Sequence, residues 1–211
     1  MDKALLIQSA VKASEVLRKV SFPELVEATS GYMVFFLDRA DSKDNELYEK
    51  LATAANSLLK ICHKTRRRFQ GNRINEVGIA IEEEFVQELR KTDLSPRLLI
   101  EKGYPDMELD DRHGRKTYLE SKATSKRWDD TFRSFYYSNG KKITTNARHL
   151  LIGWKIEEEN DKYWKLVDWK LVDLFYLNVG LKSEFNASNK DIYISTQQEE
   201  QKVTQSVLST A

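Results

Sequence analysis

The chain has 211 residues, 40% of them hydrophobic, which is enough for a core of its own and excludes collagen-like, mucin-like and disordered classes. Its longest uncharged apolar run, 31–37, is far short of the ~20 residues a bilayer span requires, no apolar leader opens the sequence, and Cys62 with three histidines makes neither an internal disulfide nor a Cys/His zinc cluster. A soluble, cytoplasmic protein is expected, and the formal charge of +1, from 34 basic and 33 acidic residues, would by itself argue against a polyanionic partner.

Residues 1–70 read as mostly helical. Leu6, Ala10, Ala13, Leu17 and Val20 recur at helical spacing, as do Leu47, Leu51, Ala54, Leu58 and Ile61. Ser21 and Pro23 mark a helix start between the two sets, whereas periodicity leaves 31–37 open between buried helix and strand. After the turn signal Gly71-Asn72, Gly78, Glu82, Phe85 and Leu89 share one face of a further helix, and Ser95-Pro96 closes that region. Strands follow, with 104–110 and 116–123 flanking a polar tip at 111–115 that has Gly114 at its bend. Residues 125–138 are predicted helical, Asn139-Gly140 a turn, and 149–156 and 163–174 two more strands separated by an acidic turn at 157–161. The expected organisation is a helical region at 1–70, an α/β core at 71–195 and a polar tail at 196–211.

Charge is uneven along this order. Residues 60–75 hold six basic and no acidic side chains, and 111–150 hold ten basic against four acidic, so two segments carry +6 each and the remainder −11. Such a distribution draws in a nucleic-acid backbone while limiting indiscriminate binding. One basic run alone is also what a solvated helix end looks like; two runs, the second rich in aromatics, favour nucleic acid.

The most informative stretch is Pro105-Asp106 followed, across the hairpin, by Glu120-Ser121-Lys122. Side chains alternate along a strand, so Glu120 and Lys122 share a face and Ser121 takes the other. A bend at His113-Gly114 makes facing residue numbers sum to about 227, which favours Asp106 over Glu108 or Asp110 as the partner of Glu120. Two carboxylates on adjoining strands form a hard oxygen site suited to Mg²⁺, and a lysine two residues along can orient water and stabilise charge on a phosphate under attack. The acid-x-lysine spacing recurs at Asp41, Asp168 and Glu200. Asp168-x-Lys170, in a strand candidate, is the serious rival, but no Pro-Asp and bend precede it. A plain cross-strand salt bridge between Lys122 and Asp106 or Glu120 is the bland alternative.

Pro105-Asp106, a spacer and Glu120-Ser121-Lys122 resemble the PD-(D/E)XK nuclease signature, and the strand that follows, 147–154, resembles what succeeds it in type II restriction endonucleases. The resemblance covers roughly 72–174. It implies a restriction-endonuclease-like α/β fold with a central mixed sheet flanked by helices, Mg²⁺-dependent hydrolysis of double-stranded DNA, and a homodimer. By that resemblance Asp106 and Glu120 hold Mg²⁺, with Ser121 included in the metal set, Lys122 positions or activates the attacking water, and Glu82 is a further acid on the preceding helix. The helical region 1–70 is expected to serve dimerisation or DNA wrapping.

Candidate DNA contacts are Lys126, Arg127, Arg133, Lys141, Lys142, Thr144, Asn146 and Arg148, with Arg67 and Arg68 from the first basic run. Phe132, Phe135 and Tyr136 have the spacing of a helix core, His149 reads as a structural histidine, Cys62 as a small buried hydrophobe, and Trp128 stays open. No Gly-rich phosphate loop with a following Lys-Ser/Thr is present, so no nucleotide cofactor is expected, nor is a membrane partner. A structure- or damage-directed nuclease of the same fold and a non-catalytic DNA-binding module are the alternative readings.

Overall fold

A computed structural model describes residues 2–16, 19–130, 135–137 and 140–180. The chain divides into two units, residues 20–179 and a second unit made of the chain ends, 1–19 and 180–211. Helix α1 (Lys3–Val16) belongs to the second unit; Asp2 accepts a hydrogen bond from Ala4 N at 3.0 Å at its start, and Leu5, Leu6 and Ile7 are exposed. The helix ends before Val20, which lies in a strand instead.

In the main unit, β1 (Val20–Ser21) leads into α2 (Phe22–Ser30), where the Ser21–Glu24 capping box, Pro23 in the first turn and left-handed Gly31 (φ 79°) set both ends. The open segment 31–37 resolves as a two-residue strand, β2 (Val34–Phe35). Helix α3 (Ser42–Thr65) is capped by Asp41, which accepts from Lys43 N and Asp44 N, and it buries Leu47, Leu51, Ala54, Ala55, Leu58 and Cys62 along one stripe. Short β3 (Phe69–Gln70) precedes α4 (Ile74–Leu89), which buries Val77, Ile81, Phe85, Val86 and Leu89. The strands β4 (Ser95–Leu98), β5 (Met107–Asp110), β6 (Lys116–Thr124), β7 (Ala147–Asn160) and β8 (Tyr163–Asp173) follow, then a 3₁₀ turn at Leu174–Tyr176 and β9 (Asn178–Val179), which pairs with β1.

The main sheet runs β3-β8-β7-β6-β5-β4, with β2 beside the start of β7. Strands β6 and β7 are parallel, β2 and β7 are parallel, and the other pairs are antiparallel, so the sheet is mixed. One face packs on α3 and α4 through Leu109, Leu119, Leu150, Ile152, Trp154 and Ile156. The other carries a second core of Phe22, Val26, Val34, Tyr104, Tyr118, Ile143, Ala147 and Leu174. The result is the α/β fold with a central mixed sheet flanked by helices that the sequence implies.

Three local expectations change, and one irregularity is added to them. The acidic segment 157–161 is mostly strand, because β7 runs to Asn160 and the turn falls at Lys162, with φ 68°. The first hairpin strand starts at Met107, not residue 104, and its register pairs Met107 with Leu119, a sum of 226. The predicted helix at 125–138 is not helical in its described parts, 125–130 and 135–137; there, side-chain anchors to the sheet override helix propensity. Phe135 still packs against the second core, Tyr136 is exposed, and Phe132 lies outside the described residues. Finally, β8 carries a bulge between its pairings with Lys155 and Ile156, so Leu166 enters the helical-face core while Asp168 takes Lys155's face.

Two buried polar groups hold this architecture. Asp44, 1% exposed, bonds Arg115 and Arg148 at 2.7 Å each and accepts from Asp38 N at 2.9 Å, tying α3 to the hairpin and to β7. Asp44→Ala removes the ion pair of Arg148 and one of those of Arg115, and is expected to cost about 3 kcal/mol, read as the shift in a urea midpoint. His149 is fully buried, stacks on Tyr104 and accepts or donates at Nδ1 with the Tyr104 hydroxyl at 2.8 Å. Burial lowers its pKa from 6.5 to about 3. The unfolded chain therefore gains a proton that the folded chain refuses, and stability contributed by neutral His149 is present above pH 6.5 and lost as pH falls toward 3. His149→Asn should flatten the acid limb of the urea-midpoint profile across that window; an unchanged slope would contradict it.

Candidate active site

The site arises where β6 outlasts β5. Pairing between them ends at Met107–Leu119, and Pro105, which has no N–H, takes the chain away. On its other side β6 stays paired with β7 through Thr124. The β5-side edge of β6 beyond Leu119 therefore faces a cleft of about 670 Å³, lined by Gly78, Ile79 and Glu82 of α4, by Tyr104 and Asp106, by residues 120–124 of β6, and by Lys126 and Tyr136.

Asp106 and Glu120 lie on the same sheet face, and Lys122 bridges them. Its Nζ is 2.7 Å from Glu120 Oε1 and 3.4 Å from Asp106 Oδ2. Asp106 Oδ2 also accepts from Ser121 N at 2.8 Å, which fixes the carboxylate against the free edge. Glu120 is 3% exposed, and its second oxygen, Oε2, is buried without a hydrogen-bond partner among the described residues. Glu108 and Asp110 are drawn elsewhere: Glu108 pairs with Arg97 and Lys116, and Asp110 with Lys116. Of the three hairpin acids, only Asp106 meets Glu120 and Lys122.

Burial, then the neighbouring charge of Asp106, raises the Glu120 pKa to about 7. Glu82 is likewise pushed up to about 7 by burial, then by Asp106. For Lys122, burial works against the charged form but is outweighed by Glu120 and Asp106, and its pKa is raised. Three carboxyl groups thus share a buried cleft in which the Lys122 ammonium contacts two of them.

The donor set fits a hard divalent cation. A buried carboxylate oxygen without a partner, beside a second carboxylate, is what Mg²⁺ takes when it binds through one or two carboxylates and keeps waters. Among the described residues no three His, Cys, Asp or Glu side chains converge on one point, so a cation here would rest on two carboxylates. Ser121 Oγ accepts from Trp154 Nε1 at 3.0 Å on the opposite face. The group Ser121 offers is therefore its carbonyl, which looks to the same edge as its N–H. Glu82 approaches from α4, whose Gly78 lies against Ala123 of β6.

The candidate DNA contacts separate into distinct groups. Arg148 is paired with Asp44, Arg67 with Glu84 at 2.7 Å, Arg68 with Glu159, and Arg127 with Asp129 at 2.8 Å. Lys142 donates to the carbonyls of Leu99, Gly103 and Pro105 at 3.1, 2.5 and 2.7 Å, clamping the loop that carries Asp106. Asn146 Oδ1 accepts from Met33 N, and Thr144 N donates to the Tyr118 hydroxyl. Lys141 is exposed, Lys126 lines the cleft, and Arg133 lies outside the described residues. Ile79 at the cleft lip escaped the sequence reading, and Tyr136, given helix-core spacing there, is instead exposed beside the cleft. Nothing in helical spacing distinguishes a lip residue from a core residue.

No solved structure matches the chain. A curated relative, the type II restriction enzyme MjaV of Methanocaldococcus jannaschii, is 33% identical over 199 residues, covering 84% of this chain and 86% of that protein. The family model described as the type II restriction enzyme MjaV family matches residues 16–196, a span that contains the whole hairpin and cleft. The chain therefore belongs to the type II restriction enzyme MjaV family, and by that membership is a site-specific DNA endonuclease.

Proposed function

We propose that the enzyme hydrolyses phosphodiester bonds of double-stranded DNA with Mg²⁺ at Asp106 and Glu120, that Lys122 and Glu82 complete the active site, and that it works as a homodimer. The observation that carries the reading is the buried, unpartnered Oε2 of Glu120 beside Asp106 and Lys122 in an open cleft. When bound, Mg²⁺ supplies Lewis-acid stabilisation of charge on the phosphate and a more acidic water. Asp106, fixed by Ser121 N, and Glu120, fixed by Lys122, would hold it. Lys122 donates hydrogen bonds at the cleft and can orient the attacking water as the negative phosphate approaches. Glu82, on the far wall, stands where it can hold a further water by hydrogen bond. The Ser121 carbonyl is the third protein oxygen offered at this edge.

A salt-bridged, non-catalytic sheet is favoured by one observation, the two short Lys122 contacts themselves. It does not account for Glu120 Oε2, because a carboxylate retained only for pairing would not leave a buried oxygen unsatisfied.

Digestion of a large mixed-sequence DNA decides between them. Wild type with Mg²⁺ is expected to give sharp bands, and Ca²⁺ alone none. Asp106→Asn, Glu120→Gln and Lys122→Ala should each lower the cleavage rate by about 10² or more. Full cleavage by Lys122→Ala would sink the catalytic assignment, and no cleavage by wild type across varied DNA would leave the binding module.

A further inference from the structure

Asp168-x-Lys170 is the second acid-x-lysine pair of the sheet, and the bulge in β8 turns both side chains to the face that carries Lys122. Across β7 the register runs Lys122, Gly153, Lys170. No metal-binding set forms around Asp168 among the described residues. Instead the row makes a seat for Trp128. The indole lies over Gly153, where a Cβ would meet ring carbons at 3.1 and 3.4 Å, so a side chain there would push the ring by a few tenths of an ångström. Trp128 Nε1 donates to Asp168 Oδ2 at 3.1 Å, and Lys170 Nζ lies 5.2 Å from the ring centroid. Lys155, also on this face, donates to the carbonyls of Ser125 and Lys126 at 2.7 and 2.8 Å.

These contacts pin down a segment that has no regular structure of its own. Residues 125–130 follow directly on β6, the strand of Glu120 and Lys122, and the pinned part delivers Lys126 to the cleft wall. Lys126 differs from the paired arginines of the basic segments: it forms no ion pair among the described residues, and it is exposed.

We propose that residues 125–130 are a positioning strap, seated by Trp128 on Gly153, Asp168 and Lys170 and tied by Lys155, that holds Lys126 at the cleft as a contact for a phosphate of the DNA strand bound there. This rests on the reading of Asp106, Glu120 and Lys122 as the active site. Lys126 contributes substrate binding, and Trp128 acts only through it. A lysine on a disordered segment would still attract DNA, but a seated one is placed against one phosphate, in register with the two carboxylates.

The test is the salt dependence of binding to a short random-sequence duplex in EDTA, followed by fluorescence anisotropy, alongside plasmid cleavage with Mg²⁺. Lys126→Ala should reduce the slope of log affinity against log salt by about 0.9, the loss of one phosphate contact. Trp128→Ala should reduce it by the same amount, and the double variant by no more than either. Gly153→Ala, which crowds the indole, should reduce it by less than Trp128→Ala does, while Trp128→Phe should stay near wild type. In cleavage, the Trp128→Ala and Lys126→Ala losses should fall on KM, with kcat within about twofold of wild type. An unchanged slope in Trp128→Ala and Gly153→Ala, or losses that add in the double variant, would overturn the strap. Failure of the active-site reading looks different: Glu120→Gln would then cut plasmid as wild type does, whatever the strap variants do.

Discussion

The structure turns on the difference in length between two neighbouring strands. Strand β6 is held to Thr124 by its parallel partner β7, while β5 stops at Met107. A free strand edge inside a domain is costly unless its polar groups find partners. Here Asp106 supplies one, accepting from Ser121 N. That single bond places a carboxylate beside Glu120, and Lys122, two residues along the same face, brings an ammonium that touches both. The buried charge follows from topology: Glu120 sits on a central strand, 3% exposed at the wall of the cleft, so its raised pKa has the same origin as the cleft itself.

The basic segments have a different meaning from the one their charge count gives. Much of the positive charge in 60–75 and 111–150 is used inside the protein. Arg115 and Arg148 hold Asp44 beneath the hairpin, Arg112 joins Glu46 on α3, and Lys142 clamps the loop before Asp106. A segment net charge of +6 counts residues along the chain, whereas carboxylates from α3, α4 and β7 neutralise them in space. What remains near the cleft is a smaller set, in which Lys126 is distinguished by position and by exposure.

Much of the fold was legible because its signals are local. Ser21 with Pro23 before α2 and Gly114 at the hairpin act through backbone hydrogen bonds or φ, and each marks the element it should. The alternation along β6 gave the shared face of Glu120 and Lys122, and the hairpin register was within one residue. Long-range effects were hidden. Residues 125–138 have helical spacing, yet 125–130 obey Lys155 and Asp168, thirty or more positions away in sequence. Strand β4 carries Pro96 and only four residues, too little to read as a strand before its partner β5 is known. The face of Asp168 depends on a bulge, and a bulge leaves no mark in a period-two pattern. In the site, the pair of carboxylates was visible, but the use of the Ser121 hydroxyl by Trp154 was not, since it depends on which face of β6 looks toward α4.

The central claim is that Asp106 and Glu120 hold a divalent cation at the free edge of β6. Isothermal titration of the metal-free protein with Mn²⁺, a hard cation of the same coordination class, tests it without reference to cleavage. Wild type should bind, Glu120→Gln and Asp106→Asn should each lose most of that binding, and Asp168→Asn, which alters the rival acid-x-lysine pair, should keep it. Undiminished Mn²⁺ binding by Glu120→Gln, or its loss in Asp168→Asn alone, would contradict the account.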